Sequence, residues 1–308
     1  MIRILIVLTT LSSISLSSSI DAIGLTRVAA IRVSFTVDNN PGTTGDGTFL
    51  YNAPIDTCGQ YTIDPVPHNR SYFESQLLAV SNYFKSVSYN NFGIDIDNSI
   101  VFPTGEQDSY IVPYEMDYYH PFNEDEIHDE RITELFRDAV ETAYNIDSID
   151  FSLFDHIVVF HAGIGQDFTL PFLDPTPEDI PSTFVDQSML EQYLGGTLQI
   201  SNTVINQGII LPETQNHLFF EESENIFLNA NEPCDFQYGL TGTFALMLGF
   251  AIGLPPLWDT DTGQSGIGIF GLMDQGSNNG RGLIPSPPDA WTRKYIGWEN
   301  STNITPPV

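Results

Sequence analysis

The chain has 308 residues, 41% hydrophobic and 12% aromatic, which suits one large domain with an ample core and excludes a disordered acidic tail. Forty aspartates and glutamates face ten lysines and arginines, for a net charge of -30. Such a field repels nucleic acid and anionic lipid and attracts divalent cations, so it argues against nucleic-acid binding and fits a solvated acidic surface.

Residues 1–22 read as an export signal. Arg3 supplies a positive start, ILIVLTTLSSISL an apolar middle, and SSSIDA a small-residue end with cleavage expected after Ala22. The apolar run is too short for a membrane span, and no later stretch reaches about 18 apolar residues. The mature protein is therefore expected to be secreted, or periplasmic, with no membrane span. Cys58 and Cys234 make an even count, which in an oxidising compartment favours one disulfide. Closing so long a loop stabilises by roughly 5 kcal/mol in the chain-entropy model. Two buried free thiols are the alternative.

In chain order, residues 27–37 (RVAAIRVSFTV) are rich in β-branched side chains and predict a first strand. Residues 38–49 form a turn-rich loop in which Asp38, Asn39, Asn40 and Asp46 are candidate calcium ligands. A helix is predicted from Ser71, capped by the Ser71/Glu74 pair, with Leu77, Leu78, Val80 and Phe84 as its apolar stripe. A strand is expected over 92–102 and a helix over 131–144. FDHIVVFHA, 154–162, predicts a central strand buried on both faces. A polar, proline-rich loop over 163–190 leads to strands at 197–204 and 208–211, then an acidic loop over 213–237. LTGTFALMLGFAI, about 240–252, is apolar all round and predicts a buried helix ended by Gly253. Pro287-Pro288-Asp289 starts a short helix carrying Trp291 and Tyr295. Strand and helix alternate, which predicts one α/β domain on a largely parallel sheet, spanning 23–299, with 300–308 as a tail or the start of a linker.

Several segments together resemble the immune inhibitor A-like family of secreted zinc metallopeptidases. They are VSFTVDNNPGTTGDGTF, SYFESQLLAVSNYFKSVSYNNFGIDI, DHIVVFHAGIGQDF, PTPEDIPSTF, GIILPETQNH, GLPPLWDTDTGQSGIGIFGLMDQGSNNG and PPDAWTRKYIGW, covering about residues 27–298. The resemblance implies a zincin-like α+β fold: a twisted, mostly parallel sheet, an antiparallel cleft-edge strand at GIILPETQNH, and a buried former active-site helix. It also implies zinc as cofactor, and a methionine turn beneath the metal supplied by Met273.

In an H-E-x-x-H protease two histidines one helical turn apart bind zinc, and the glutamate beside the first is the general base. Carried over position by position, Leu246 stands for the first histidine, Met247 for the glutamate, Phe250 for the second histidine and Pro256 for an acidic third ligand. None of these side chains binds zinc or moves a proton. Buried apolar side chains of this size contribute roughly 1.5–3 kcal/mol each, so the metal cavity is expected to be filled by them. The chain reads as a pseudopeptidase whose role is to bind a peptide or partner. An active peptidase with a displaced site, or a structural or adhesion module stabilised by calcium at Asp259, Asp261 and Asp274, are the alternatives. The six histidines, His68, His120, His128, His156, His161 and His217, lack helical i, i+4 spacing. His156 and His161 read as structural, and His217, near Glu213, as a lone histidine facing the cleft. No serine-hydrolase elbow or phosphate loop is present, and GIGIFG (266–271) does not join a strand to a helix as such a loop requires.

Overall fold

The computed structural model describes residues 22–52, 61–167, 175–219, 237–260 and 262–302. The export signal, Cys58, Cys234 and Asp261 lie outside them. The described residues form eleven strands: β1 (Gly24–Thr26), β2 (Val28–Ser34), β3 (Phe92–Ile94), β4 (Ile100–Phe102), β5 (Tyr110–Ile111), β6 (His156–Ile164), β7 (Thr183–Val185), β8 (Leu198–Ile200), β9 (Thr203–Ile205), β10 (Gly208–Asn216) and β11 (Gln237–Tyr238). Six α-helices accompany them: α1 (Arg70–Val87), α2 (Met116–Tyr119), α3 (His128–Asp147), α4 (Gln187–Leu194), α5 (Leu240–Ala251) and α6 (Ala290–Tyr295).

The protein is mixed α/β with a mostly parallel sheet. Its strands run in the order β11-β10-β6-β2-β4, with β5 beside β2 and β7 beside β10. β10, β6, β2 and β4 are mutually parallel, and β2, β6 and β10 are buried along their whole length. That burial explains why these strands read as apolar runs without alternation. α1 and α5 pack on each other against one face, where Phe73, Phe160 and Phe244 form a ring-to-ring chain. α3 packs with α2 and α4 and meets β2, β5, β7 and β10.

Several expectations are corrected in detail. The cleft-edge segment 208–217 is parallel to its inner neighbour β6, and the antiparallel partners are two short strands, β7 and β11, flanking it. α1 is capped by Asn69, whose side chain accepts the Tyr72 amide (3.1 Å), because Ser71 turns to Glu106 and Glu74 pairs with Arg70. The predicted strand 92–102 is broken into β3 and β4 by a turn in which Asn98 donates to Asp95. Residues 197–204 form the β8–β9 hairpin, turning at Ser201 (φ 53). The loop 163–190 holds β7 and the start of α4. Ala22 is buried, and its carbonyl accepts the Trp298 indole N–H (2.5 Å).

Candidate functional site

α5 begins without a capping side chain of its own. Asp64, from the segment before α1, accepts the Leu240 amide (2.8 Å), placing a carboxylate at the positive end of the helix. Gly242 lets the neighbouring turn approach: a Cβ there would lie 2.0 Å from the Ser277 carbonyl oxygen. The helix stops in a Schellman motif, with Gly253 (φ +92) donating to Phe250 and Leu254 to Gly249. Met273 is fully buried against Gly249, and its carbonyl accepts the Leu257 amide (2.8 Å), so this residue packs on α5.

α5 is not fully buried, and here the sequence expectation fails. Leu240 to Ala245, Leu248 and Gly249 are buried, whereas Leu246, Met247 and Phe250 are only half-buried. With Thr243 they form one stripe at i, i+3, i+4 and i+7. Thr243, Leu246 and Met247 line a cavity of about 240 Å³, closed by Trp258 and Gly263, by Asp167, and by Asp274, Gln275, Ser277 and Asn278. Phe250 is held at the side, stacked on Phe184 (6.0 Å) and edge-on to Trp258 (5.6 Å). Leu246 and Met247 thus form the apolar floor of an open cleft, with Phe250 beside it, and do not fill it. Pro256 is exposed on the following loop. Leu246, Met247, Phe250 and Pro256 offer no nitrogen or oxygen side-chain donor, so the residues that the resemblance would assign to the zinc ligands and base do not fit zinc.

Of the aspartates assigned to calcium, Asp259 and Asp274 are described, and both accept backbone hydrogen bonds. Asp274 Oδ2 accepts the amides of Gly266 (2.9 Å), Ile267 (2.7 Å) and Gly268 (2.7 Å) and the Ser265 hydroxyl (3.0 Å), while Oδ1 accepts the Gln275 amide (2.8 Å). Burial works to raise this carboxyl, but those bonds outweigh it and hold it below its usual range. Asp274 therefore staples the GIGIFG loop, which gives that glycine-rich stretch its structural meaning. Asp259 is exposed and accepts the Thr262 amide (3.0 Å) in its own turn. In the earlier loop Asp38 accepts the Asn40 amide and Asp46 the Thr48 amide and hydroxyl, while Asn39 is exposed. Among the described residues no three His, Cys, Asp or Glu side chains form a group that could hold a metal ion.

The residue that sequence reasoning missed is Asp167. It accepts the Ser182 hydroxyl (2.7 Å) and amide (3.1 Å) and a hydrogen bond from Gln215, with His217 close enough to act on its charge. Burial pushes its carboxyl up, and the bonds from Ser182 and Gln215 offset this only in part. Its partners come from two other segments, around Ser182 and at Gln215 to His217, so no local motif marked it.

Beside the cleft lies a sealed polar network. Glu213 and His68 are both inaccessible and meet at 2.7 Å. Glu213 also accepts the amides of Leu50 (2.9 Å) and Gly163 (2.7 Å), and its carbonyl accepts the Tyr72 hydroxyl (2.9 Å). His68 Nε2 faces the Asp64 carbonyl at 2.9 Å. Both ring nitrogens thus face acceptors, which calls for a doubly protonated imidazole. Burial opposes that charge, but the bond to Glu213 and its charge prevail and raise His68 above its ordinary value. Glu213 is therefore spent on His68 and on the amides of Leu50 and Gly163. Among the other histidines, His120 stacks on His128 (4.0 Å) and is lowered to about 4 by burial, and His161 is lowered to about 4 by burial. His156 is also buried, as expected of a structural histidine.

In comparison with known proteins, no family model matches the chain, and no curated protein matches it. Among the described residues no helix is long and apolar enough to cross a membrane.

Proposed function

We propose that this chain is an exported, non-catalytic relative of the immune inhibitor A-like metallopeptidases, and that its cleft over α5 binds an apolar side chain of a peptide or partner protein. The observation that carries the reading is that Leu246, Met247 and Phe250, at the positions of the zinc ligands and base, are half-buried beside an open cavity of about 240 Å³. That volume lies below the 300–1,000 Å³ of a typical small-molecule site, so it suits one side chain more than a whole metabolite. The floor is apolar, the rim at Gln275 and Asn278 is polar and exposed, and this is the division found in peptide-binding grooves. A mostly parallel sheet carrying short antiparallel strands at one edge, with a methionine packed against the cleft helix, agrees with a zincin-like ancestry.

The test is anisotropy titration of fluorescein-labelled pentapeptides carrying Leu or Phe at the centre. Leu246→Glu, which places a charge on the cleft floor, is expected to weaken binding about tenfold or more, as loss of a central apolar anchor does. Cleavage of the peptides by wild-type protein, or binding indifferent to Leu246→Glu, contradicts the reading.

A further inference from the structure

A second cavity, of about 580 Å³, shares no lining residue with the cleft. It lies where the chain after β2, the segment 113–124 around α2, and Glu178 before β7 come together. Its walls combine two kinds of group. Tyr114, Tyr118 and Phe122 supply aromatic rings, and Glu115, Asp117, Glu124 and Glu178 supply carboxylates; among the described residues no lysine or arginine lines it. We propose that this cavity binds an organic ammonium group, of the quaternary or alkylated kind carried by choline.

The rings are arranged for it. Tyr118 is already covered, by the Arg131 guanidinium carbon 4.2 Å from its centroid and by the stacked Tyr114 ring, so the rings that offer an open face are Tyr114 and Phe122. Tyr114 stacks on Tyr118 at 3.9 Å and 22°, yet stays 43% exposed, and Phe122 is 55% exposed. Rings left open beside carboxylates favour a cation with an apolar shell, because the ring faces attract its charge while its methyl groups cover their surface. The carboxylates are partly fixed in advance. The Asn40 amide donates to Asp117 (3.1 Å) and to Glu178 (2.8 Å), and the Phe122 amide donates to Glu178 (3.3 Å). A divalent metal ion fits this chemistry poorly. It needs six or more converging oxygens, whereas two of the four carboxylates are engaged and the remaining wall is aromatic. The volume also falls within the range of small-molecule sites.

The discriminating experiment is calorimetric titration of the intact chain with choline and with 3,3-dimethylbutan-1-ol, its neutral isostere. Choline is expected to bind about tenfold more tightly. Tyr114→Leu, which keeps apolar volume and removes a ring, is expected to erase most of that difference. Glu115 and Glu124 are exposed, so the Glu115→Gln/Glu124→Gln pair changes charge with little risk to folding and is expected to weaken choline severalfold. Tighter binding of Nα-acetyl-lysine amide, whose ammonium carries no methyl groups, than of choline overturns the assignment to an alkylated ammonium. Equal binding of choline and the alcohol, no heat with choline at tens of millimolar, or stoichiometric displacement of choline by calcium overturns the proposal.

Discussion

The cleft over α5 and the polar network around Glu213 lie on the same side of the sheet and divide the molecule's chemistry between them. The network holds groups that could move a proton, His68 and Glu213, but both are inaccessible and committed to each other and to backbone. The cleft is accessible, and the α5 positions that line it carry Thr243, Leu246 and Met247, with Phe250 at the side. His68 and Glu213 are thus sealed where they stabilise, whereas the open cleft has an apolar floor with Asp167 on its wall. Within α5 itself the same contrast appears between Leu248, fully buried, and Leu246, half-buried two residues away.

Glu213→Ala should have the largest effect, because it strands the His68 charge and two amide donors in the interior. Removing one partner of a buried pair costs about 3–5 kcal/mol, and urea denaturation is expected to show that loss. Leu248→Ala should follow at about 3 kcal/mol, the usual cost of emptying a packed core position. Asp274→Ala removes a carboxylate that accepts five hydrogen bonds, and a loss of about 2–3 kcal/mol is expected, with faster amide exchange at Gly266 to Gly268. Leu246→Ala, although chemically identical to the Leu248 change, should cost about 1 kcal/mol because its site is already open. If the two leucine variants are equally costly, the division of α5 into a core face and a cleft face fails.

The pH dependence separates the same regions. His68 is raised in the folded state, so its contribution is fully present below its unfolded value near 6.5 and is lost as pH rises through the higher folded value. The stability gap between wild type and His68→Gln should therefore narrow toward alkaline pH. Asp274 is lowered, so its contribution is present above about 3.8 and is lost as pH falls through the folded value. The gap between wild type and Asp274→Asn should close on the acid side. Denaturant curves across pH 3–9 distinguish the two.

Much of the scaffold was legible from periodicity and apolar runs: α1, α3, α5, β2 and β6 all lie close to their expected positions. Their signals are local and repeat over many residues. β7 and α4 were missed inside a proline-rich stretch, although Asp186, accepting the Met189 amide, and Gly195, left-handed at the far end, are start and stop signals for α4. The openness of the cleft was not legible. An all-apolar helix declares how much it can bury but not which face lacks a neighbour, and for α5 that depends on where residues 258–278 come to rest. Asp274 had the same difficulty: a carboxylate in a glycine-rich loop suits a cation by composition, and only the directions of the Gly266, Ile267 and Gly268 amides assign it to the backbone.

The central claim, an open cleft without metal chemistry, is tested most directly by elemental analysis of the purified native chain after exposure to equimolar zinc and desalting. Zinc far below one equivalent per chain is expected, because Leu246, Met247 and Phe250 offer it no ligand. One retained equivalent, removed by chelator together with a peptide-cleaving activity, would contradict it.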